Sequence, residues 1–477
     1  MTANFFDCIY QKLIEKADCE LIVWPELHGS AHTHTGTAIL SRVSVIRAGL
    51  LGAGVRPGQS VLLALPVSFE LICSLLAVMA LGAIPVLPPA MASLFTLFSV
   101  IKREGISAVI TQRKQSRLLS WLMKSMGVKL VSVANQLAWS GTYLLPHPVD
   151  SEQPALISHS SGSTGRAKAI RRSHRVLRAQ HQALSMAFPS WPGQRDFPLF
   201  PNVLLHNLAV GSVSVLPDLP HFKLTQLDPA RIVAQLATQG VHTLTGNVCY
   251  FQRILRYLAV HPQAFAQVRA VGIGGSPVPE SLVHRLKIPF PQADIYIIYG
   301  ASEAEPIAVR NTGQQPATPR FGYAVGTIHP AIQLNIRPLG TIILPGGKQF
   351  VTGEIEVRGP HVATTSTNWL QTGDFGYIDE ENQLVLTGRK GNEQIHRGVQ
   401  HYQIEHILSL VDGVDRVAAR ADVDGFTLFV QGSAGEPELR YVLNANFPEG
   451  ICPRICFRPQ LPVDARHLSK IRYDKLT

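Results

Sequence analysis

Residues 159–169 read HSSGSTGRAKA. Ser160, Ser161, Ser163 and Thr164 carry hydroxyls, Gly162 and Gly165 let another group come close to the backbone, and Lys168 adds a positive charge. Such a turn suits an anion, a phosphate above all. A surface loop of the same composition is the ordinary alternative. Two common nucleotide templates are not met. Ala169 follows Lys168, so there is no GxxxxGK[ST], and no GxGxxG occurs in the loop. The glycines of Gly52 to Gly58 (GAGVRPG) lie after a helical pattern, with Ile39, Val43, Ile46 and Leu50 on one face, and before the strand-like VLLALPV. That order is the reverse of a dinucleotide site, and the stretch reads as a helix stop and turn. An apolar strand from Pro154 precedes the 159–169 loop, and a helix is expected over Ile170 to Met186.

More short motifs follow. Gly272 to Pro277 reads GIGGSP, Tyr299 to Glu303 reads YGASE, and Gly353 to Pro360 reads GEIEVRGP. Gln371 to Asp374 (QTGD), Leu386 to Arg389 (LTGR) and Ser469 to Ile471 (SKI) complete the series. Taken singly, each has a plain reading. TGD is usually a turn, Glu303 a surface carboxylate, and Lys470 a solvated cation near a chain end. Glu303, however, follows the apolar strand ADIYIIYG at its carboxyl end, where open α/β sheets place their ligands.

These groups need elements to position them. The chain has 477 residues, 46% hydrophobic and 16% charged, which points to a globular protein with a sizeable core and more than one domain. Lys plus Arg outnumber Asp plus Glu by 43 to 33. The cations are spread without a basic run or aromatic-interleaved patch, which argues against nucleic acid and leaves anionic small molecules or an acidic carrier partner. Six scattered cysteines without a CxxC read as buried thiols of a reducing compartment. The N-terminus shows no signal pattern. The apolar stretch Val61 to Pro89 is broken by Pro66, Glu70, Gly82 and Pro85, so it reads as strand, helix and strand rather than a membrane span.

From about residue 36 to 300, short apolar runs alternate with amphipathic helical stretches, the pattern of an α/β architecture with parallel-type sheets and helices. From about 320 to 386, short strands between Gly, Pro and Asn turns indicate a small β-rich subdomain: IQLNIRP, TIILP, GEIEVRG, FGYID and QLVLTG. A small α+β domain is expected over 389–477, with the boundary near Gly388 and Arg389 and a helix over Gln403 to Leu410.

In this order and spacing the motifs resemble the adenylate-forming (AMP-binding) superfamily of acyl-CoA synthetases, peptide-synthetase adenylation domains and luciferases, over nearly the whole chain. The resemblance implies a large N-terminal domain, 1–388, and a small mobile C-terminal domain, 389–477. It implies that a carboxylic acid attacks ATP, giving acyl-AMP and pyrophosphate. Ser160, Ser161, Gly162, Ser163, Thr164, Gly165 and Lys168 then match the loop that holds the β- and γ-phosphates. Glu303 matches the magnesium-binding glutamate, with Thr164 a second Mg2+ ligand. Tyr299 matches the residue that stacks on adenine, followed by Gly300 and Ser302, while Gly274, Gly275, Ser276 and Pro277 match the adenine-pocket loop. Asp374 matches the ribose-binding acid, Arg389 a ribose or phosphate contact at the start of the hinge, and Lys470 the lysine that reaches the acyl oxygen and α-phosphate.

Gly398 matches a glycine that lines the pantetheine tunnel of thioester formers, which makes coenzyme A or the phosphopantetheine of an acyl carrier protein the expected acceptor. In finer detail YGASEAEPIA, FPLF, SVSVLPDLP and PVDARHLSKI resemble the olefin β-lactone synthetases and their fatty-acyl ligase relatives. Those enzymes close a β-hydroxy acyl-AMP without a thiol. A degenerate, non-catalytic nucleotide-binding protein is the third alternative.

The sequence also departs from the family. Ala167 and Ala169 replace a usual Pro and Gly, Gly391 stands at the hinge, and Ser469 precedes the lysine. PNVLLHNLAVG does not reproduce the family's PLFH, so no role passes to His206. HNLAVGSVSV lacks the acid that pairs with a substrate amine, which favours a fatty or related acid over an amino acid. Asn207 to Ser212, Gly246 to Tyr250 and Gly274 to Pro277 are the candidate acyl-pocket lining, with plain core residues the alternative. A cytoplasmic enzyme without a transmembrane segment is expected.

Overall fold

The computed structural model describes the chain except for residues 1–2, 26–30, 90–92, 113–120, 122, 134–140, 161–167, 200–202, 315–320, 365–368 and 465–467; for 94, 160 and 221 it describes the backbone only. The chain forms two compact units, Met1–Leu227 and Asp228–Thr477.

In the first unit one sheet has the strand order Lys129–Ser132, Ile106–Thr111, Ser60–Ala64, Ile84–Val86, Pro154–Ser160, Lys168–Ser173. Its pairs are parallel except the last, which is antiparallel. The helix Phe69–Ala80 starts at Ser68, whose side chain accepts from the Leu71 amide, and it buries every residue from Cys73 to Ala80. The apolar stretch from Val61 is thus buried strand, helix and strand, as its breaks imply. The helix Gly36–Gly52 buries Ile39, Val43, Ile46 and Leu50, the face that the spacing selects. A second set of strands runs Arg195–Pro198, Val213–Val215, Glu20–Trp24, His32–Thr35, with only the last pair antiparallel.

One sequence expectation is corrected here. The helix placed from Ile170 begins at His174, and Lys168–Ser173 is instead a strand antiparallel to Pro154–Ser160. Ser173 is the N-cap, accepting from the Val176 amide at 3.2 Å. Ile170 alone turns inward within KAIRRS, and strand pairing outweighs its helical spacing. The hydroxyl-rich loop therefore joins two antiparallel strands rather than leading a strand into a helix.

In the second unit the strands lie in the order Gln333–Ile343, Gln349–Arg358, Leu370–Ile378, Gln383–Arg389, Tyr323–Ile328, Ala304–Asn311, Asp294–Ala301, Ala270–Gly274, Thr243–Asn247. The last three are parallel and the rest antiparallel. The β-rich stretch is present, and its strands continue the sheet of the parallel ones. IQLNIRP and TIILP form one strand with an irregularity between Pro338 and Gly340. Residues 389–477 add a three-stranded sheet of Val414–Asp422, Gly425–Gly432 and Arg454–Phe457, with helices His401–Leu408 and Glu436–Asn446. Ile404, Leu408, Phe426, Leu428, Leu439 and Leu443 share one core there. Gln400 fastens the first of these helices to the long sheet, accepting from the Thr387 hydroxyl at 2.6 Å and donating to the Glu393 carbonyl at 2.7 Å.

Candidate active site

A cavity of about 150 Å3 opens in the second unit. Tyr299, Asp374, Arg389, Glu405, Lys470 and Tyr473 all line it, together with Gly275, Ser276 and Pro277. Two neighbouring antiparallel strands place Asp374 directly opposite Arg389. The Arg389 guanidinium donates to Asp374 Oδ1, and the Tyr299 hydroxyl donates to Asp374 Oδ2 at 3.0 Å. The Thr372 hydroxyl accepts from the Asp374 amide at 3.1 Å and donates to the Ile355 carbonyl at 2.9 Å, which fixes the bend at TGD. The charge of Asp374 raises the Arg389 pKa above its ordinary value. Burial, followed by the same carboxylate, raises that of Tyr299. A cation and a neutral phenol therefore face one carboxylate, whose remaining lone pairs suit hydroxyl donors. Gly274 is required where the loop passes the strand Asp294–Ala301, because a Cβ there would lie 2.8 Å from the Ile298 carbonyl oxygen.

Lys470 reaches the cavity from a short loop. The Asp464 carboxylate accepts from the amides of Ser469 at 3.2 Å and Lys470 at 2.9 Å, and the Asp464 amide donates back to the Lys470 carbonyl at 2.9 Å. Glu405, 3% exposed, lines the same cavity. Glu405 accepts from the Tyr473 hydroxyl at 2.8 and 2.9 Å and from the Ala419 amide at 2.9 Å. It lies 3.0 Å from His401 Nδ1. Sequence reasoning missed Glu405, His401 and Tyr473. The usable signals were a His and a Glu four apart on one helix, and a tyrosine three residues after the lysine.

Other expected residues lie elsewhere. Ser302 and Glu303 form the two-residue turn between strands Asp294–Ala301 and Ala304–Asn311, and neither lines the cavity. The Glu303 carbonyl accepts from the Ala363 amide at 2.8 Å. Gly300 does line the cavity. Gly398 does not; it sits at a tight turn with φ +77°, against Ile343. Ser161, Gly162, Ser163, Thr164 and Gly165 lie outside the described residues. Lys168 is exposed on its strand, paired with Ser160. Of the expected acyl lining, Val248 faces the cavity, as does Gln252 one turn on. Tyr250 is fully buried, its hydroxyl without a hydrogen-bond partner among the described residues. In the first unit Asn207 donates to Asp196 at 2.8 Å and Ser214 at 2.9 Å, which makes it a structural node of its own core. His206 is buried beside His181, ring nitrogens 3.0 Å apart.

A carboxylate braced by an arginine and a tyrosine, in one cavity with a lysine on a late loop, can accept sugar hydroxyls and stabilise negative charge. The family match and the ligase and synthetase relatives give the class, an adenylate-forming ligase. The chain belongs to the AMP-binding enzyme family, whose model matches residues 15–365. It is 28% identical to the olefin beta-lactone synthetase of Stenotrophomonas maltophilia (strain K279a), over 91% of this chain and 89% of that protein. It is 24% identical to a 4-chlorobenzoate–CoA ligase of Arthrobacter sp., over 80% and 76% of the two chains. The structure of ATP-bound MatB from Rhodopseudomonas palustris superposes with TM-score 0.78 over 99% of this chain and 98% of its own, at 18% identity. Among the described residues no helix is long and apolar enough to cross a membrane.

Proposed function

We propose that the protein activates a fatty or related carboxylic acid with ATP and passes the acyl group to the thiol of coenzyme A or of a carrier protein. The observation that carries this reading is the convergence of Asp374, Arg389, Tyr299 and Lys470 on one cavity. Asp374 and Arg389 would take the ribose hydroxyls, with the adenine between Tyr299 and the Gly274–Pro277 loop. Lys470 would neutralise charge as the acid's oxygen attacks the α-phosphorus. Without such neutralisation two anions repel, so alignment and charge are the catalytic work. Ser160, Ser161, Gly162, Ser163, Thr164, Gly165 and Lys168 would hold the β- and γ-phosphates.

Among the described residues no cluster of three or more His, Cys, Asp or Glu forms a metal cage. A Mg2+ ion arriving with the triphosphate would need few protein ligands. Glu303 and Thr164 would supply them, and the ion would neutralise phosphate oxygens. We assign residues 389–477 as a mobile domain turning about Lys390 and Gly391. Gly391 has φ +93° and open space where a Cβ would stand. The six cysteines are all free, which accords with the cytoplasm.

The sequence similarity to a β-lactone synthetase favours a second reading, in which a β-hydroxy acid closes on its own acyl-AMP without a thiol. Pyrophosphate release with ATP and Mg2+ over fatty, β-hydroxy, aryl and amino acids, with and without coenzyme A, tests both. Thiol-dependent thioester supports the first, and lactone without thiol the second. Lys470→Ala should lower adenylation at least about 100-fold and leave ATP binding nearly intact. Full activity in that variant would remove the lysine from the mechanism, and ATP binding without turnover of any acid would leave a non-catalytic binder.

A further inference from the structure

The placement of Lys470 at the reacting centre is taken from the reading above. A loop lysine stabilises a transition state only if its loop has a fixed seat, since a displacement of about 1 Å can cost about 100-fold in rate. The bonds of Asp464 with Ser469 and Lys470 are internal to the loop and move with it. Hydrogen bonds to other elements include two from the described part of the loop and the residues just after it. Arg416 Nη2 donates to the Leu468 carbonyl at 2.9 Å, and the Tyr473 hydroxyl spans both oxygens of Glu405 at 2.8 and 2.9 Å.

Glu405 is the more telling anchor. Burying a carboxylate is costly, and apolar side chains of similar size fill such a place as well or better. Its value therefore lies in geometry. It takes donors from three segments: Tyr473 after the lysine loop, the Ala419 amide on a strand, and His401 on its own helix. His401 Nε2 accepts from the Arg389 amide at 3.0 Å, which assigns the ring proton to Nδ1, facing Glu405. A continuous line of bonds runs from Asp374 through Arg389, His401 and Glu405 to Tyr473, three residues beyond Lys470.

We propose that Glu405, with His401 and Tyr473, positions the lysine loop, fixing Lys470 against the ribose-binding pair Asp374 and Arg389. Their part in this proposal is positional: they act through Lys470.

The test uses the full-length protein. Tyr473→Phe keeps the ring and removes only the anchor hydroxyl. Acid-dependent ATP–pyrophosphate exchange should fall roughly ten- to hundredfold in kcat, with KM for ATP within about threefold. Combined with Lys470→Ala, Tyr473→Phe should add no further loss, because a seat without its lysine does nothing. A purely structural role gives losses that multiply, and that result overturns the proposal, as does an unchanged kcat. Amide deuterium exchange across 468–473 is the second readout, expected to quicken in Tyr473→Phe and overturning the proposal if unchanged. Should the parent protein show no exchange activity with any acid, the ligase reading fails, and the deuterium result alone decides the anchor. Glu405→Gln should reproduce the kinetic loss; if it does not fold, Tyr473→Phe carries the decision.

Discussion

Arg310 and Arg389 each hold a carboxylate in the second unit, and the two pairs do different work. Arg310 grips Glu280 at 2.5 and 2.9 Å and gives a further bond to the Ala324 carbonyl at 3.2 Å. Its side chain is 1% exposed and that of Glu280 10%. Arg389 is 41% exposed and Asp374 12%, on the wall of the cavity. The chemistry is the same and the access differs. The carboxylates are about equally covered, but the buried Arg310 pair does not line the cavity and joins the helix Glu280–Leu286 to the strand Ala304–Asn311. The open pair leaves acceptor sites that a sugar hydroxyl can fill. Access to solvent, more than the kind of charge, separates a structural ion pair from a binding one.

The sealed pair should give the largest effect. Glu280→Gln leaves a buried guanidinium without its counter-charge and should cost about 3–5 kcal/mol in urea unfolding, while folded enzyme keeps its KM for ATP. A parental midpoint would break the comparison. Arg310→Met combined with Glu280→Leu should recover most of that loss, since a packed apolar pair often matches a buried ion pair. Failure to recover would mean that the pair also determines local geometry.

His174 extends the comparison to the first unit. It is 0% exposed, and its Nδ1 accepts from the Phe5 amide at 2.9 Å. Burial, aided by the Arg178 charge, lowers its pKa from 6.5 to about 4. As pH falls, the unfolded chain binds this proton first. The stability it contributes is therefore whole above about pH 6.5 and drains towards pH 4, by up to about 3 kcal/mol. Denaturation midpoints between pH 4 and 7 should slope less in His174→Asn. His206 and His34, also held low by burial, would retain part of the slope. An unchanged slope would show that this imidazole does not set it.

The open pair should give the smallest stability change. Asp374→Asn should shift unfolding by less than about 1 kcal/mol and weaken ATP binding about tenfold in calorimetric titration. A large stability loss with unaltered affinity would place Asp374 with Arg310, among the structural groups.

Much of this was legible in the sequence. The strand–helix alternation stood out locally, whereas the TGD and LTGR turns and the late lysine, plain when taken singly, gained meaning only from their order and spacing. That Asp374 and Arg389 bond to each other was not legible, because strand register follows from pairing between segments. The helix start at His174 was misjudged because Ile170 fits either period, and the partner strand Pro154–Ser160 decided between them. Glu405, His401 and Tyr473 were not singled out, since nothing local says that Glu405 is buried.

Residue type and spacing by themselves determined what each group can do: which side chains donate, which accept, which carry charge, and where glycine lets the chain turn. Only the tertiary structure decided which groups meet and which are sealed. Burial and hydrogen-bond partners come from segments distant in the chain, and these convert one arginine–carboxylate chemistry into a clamp at Arg310 and an open site at Arg389.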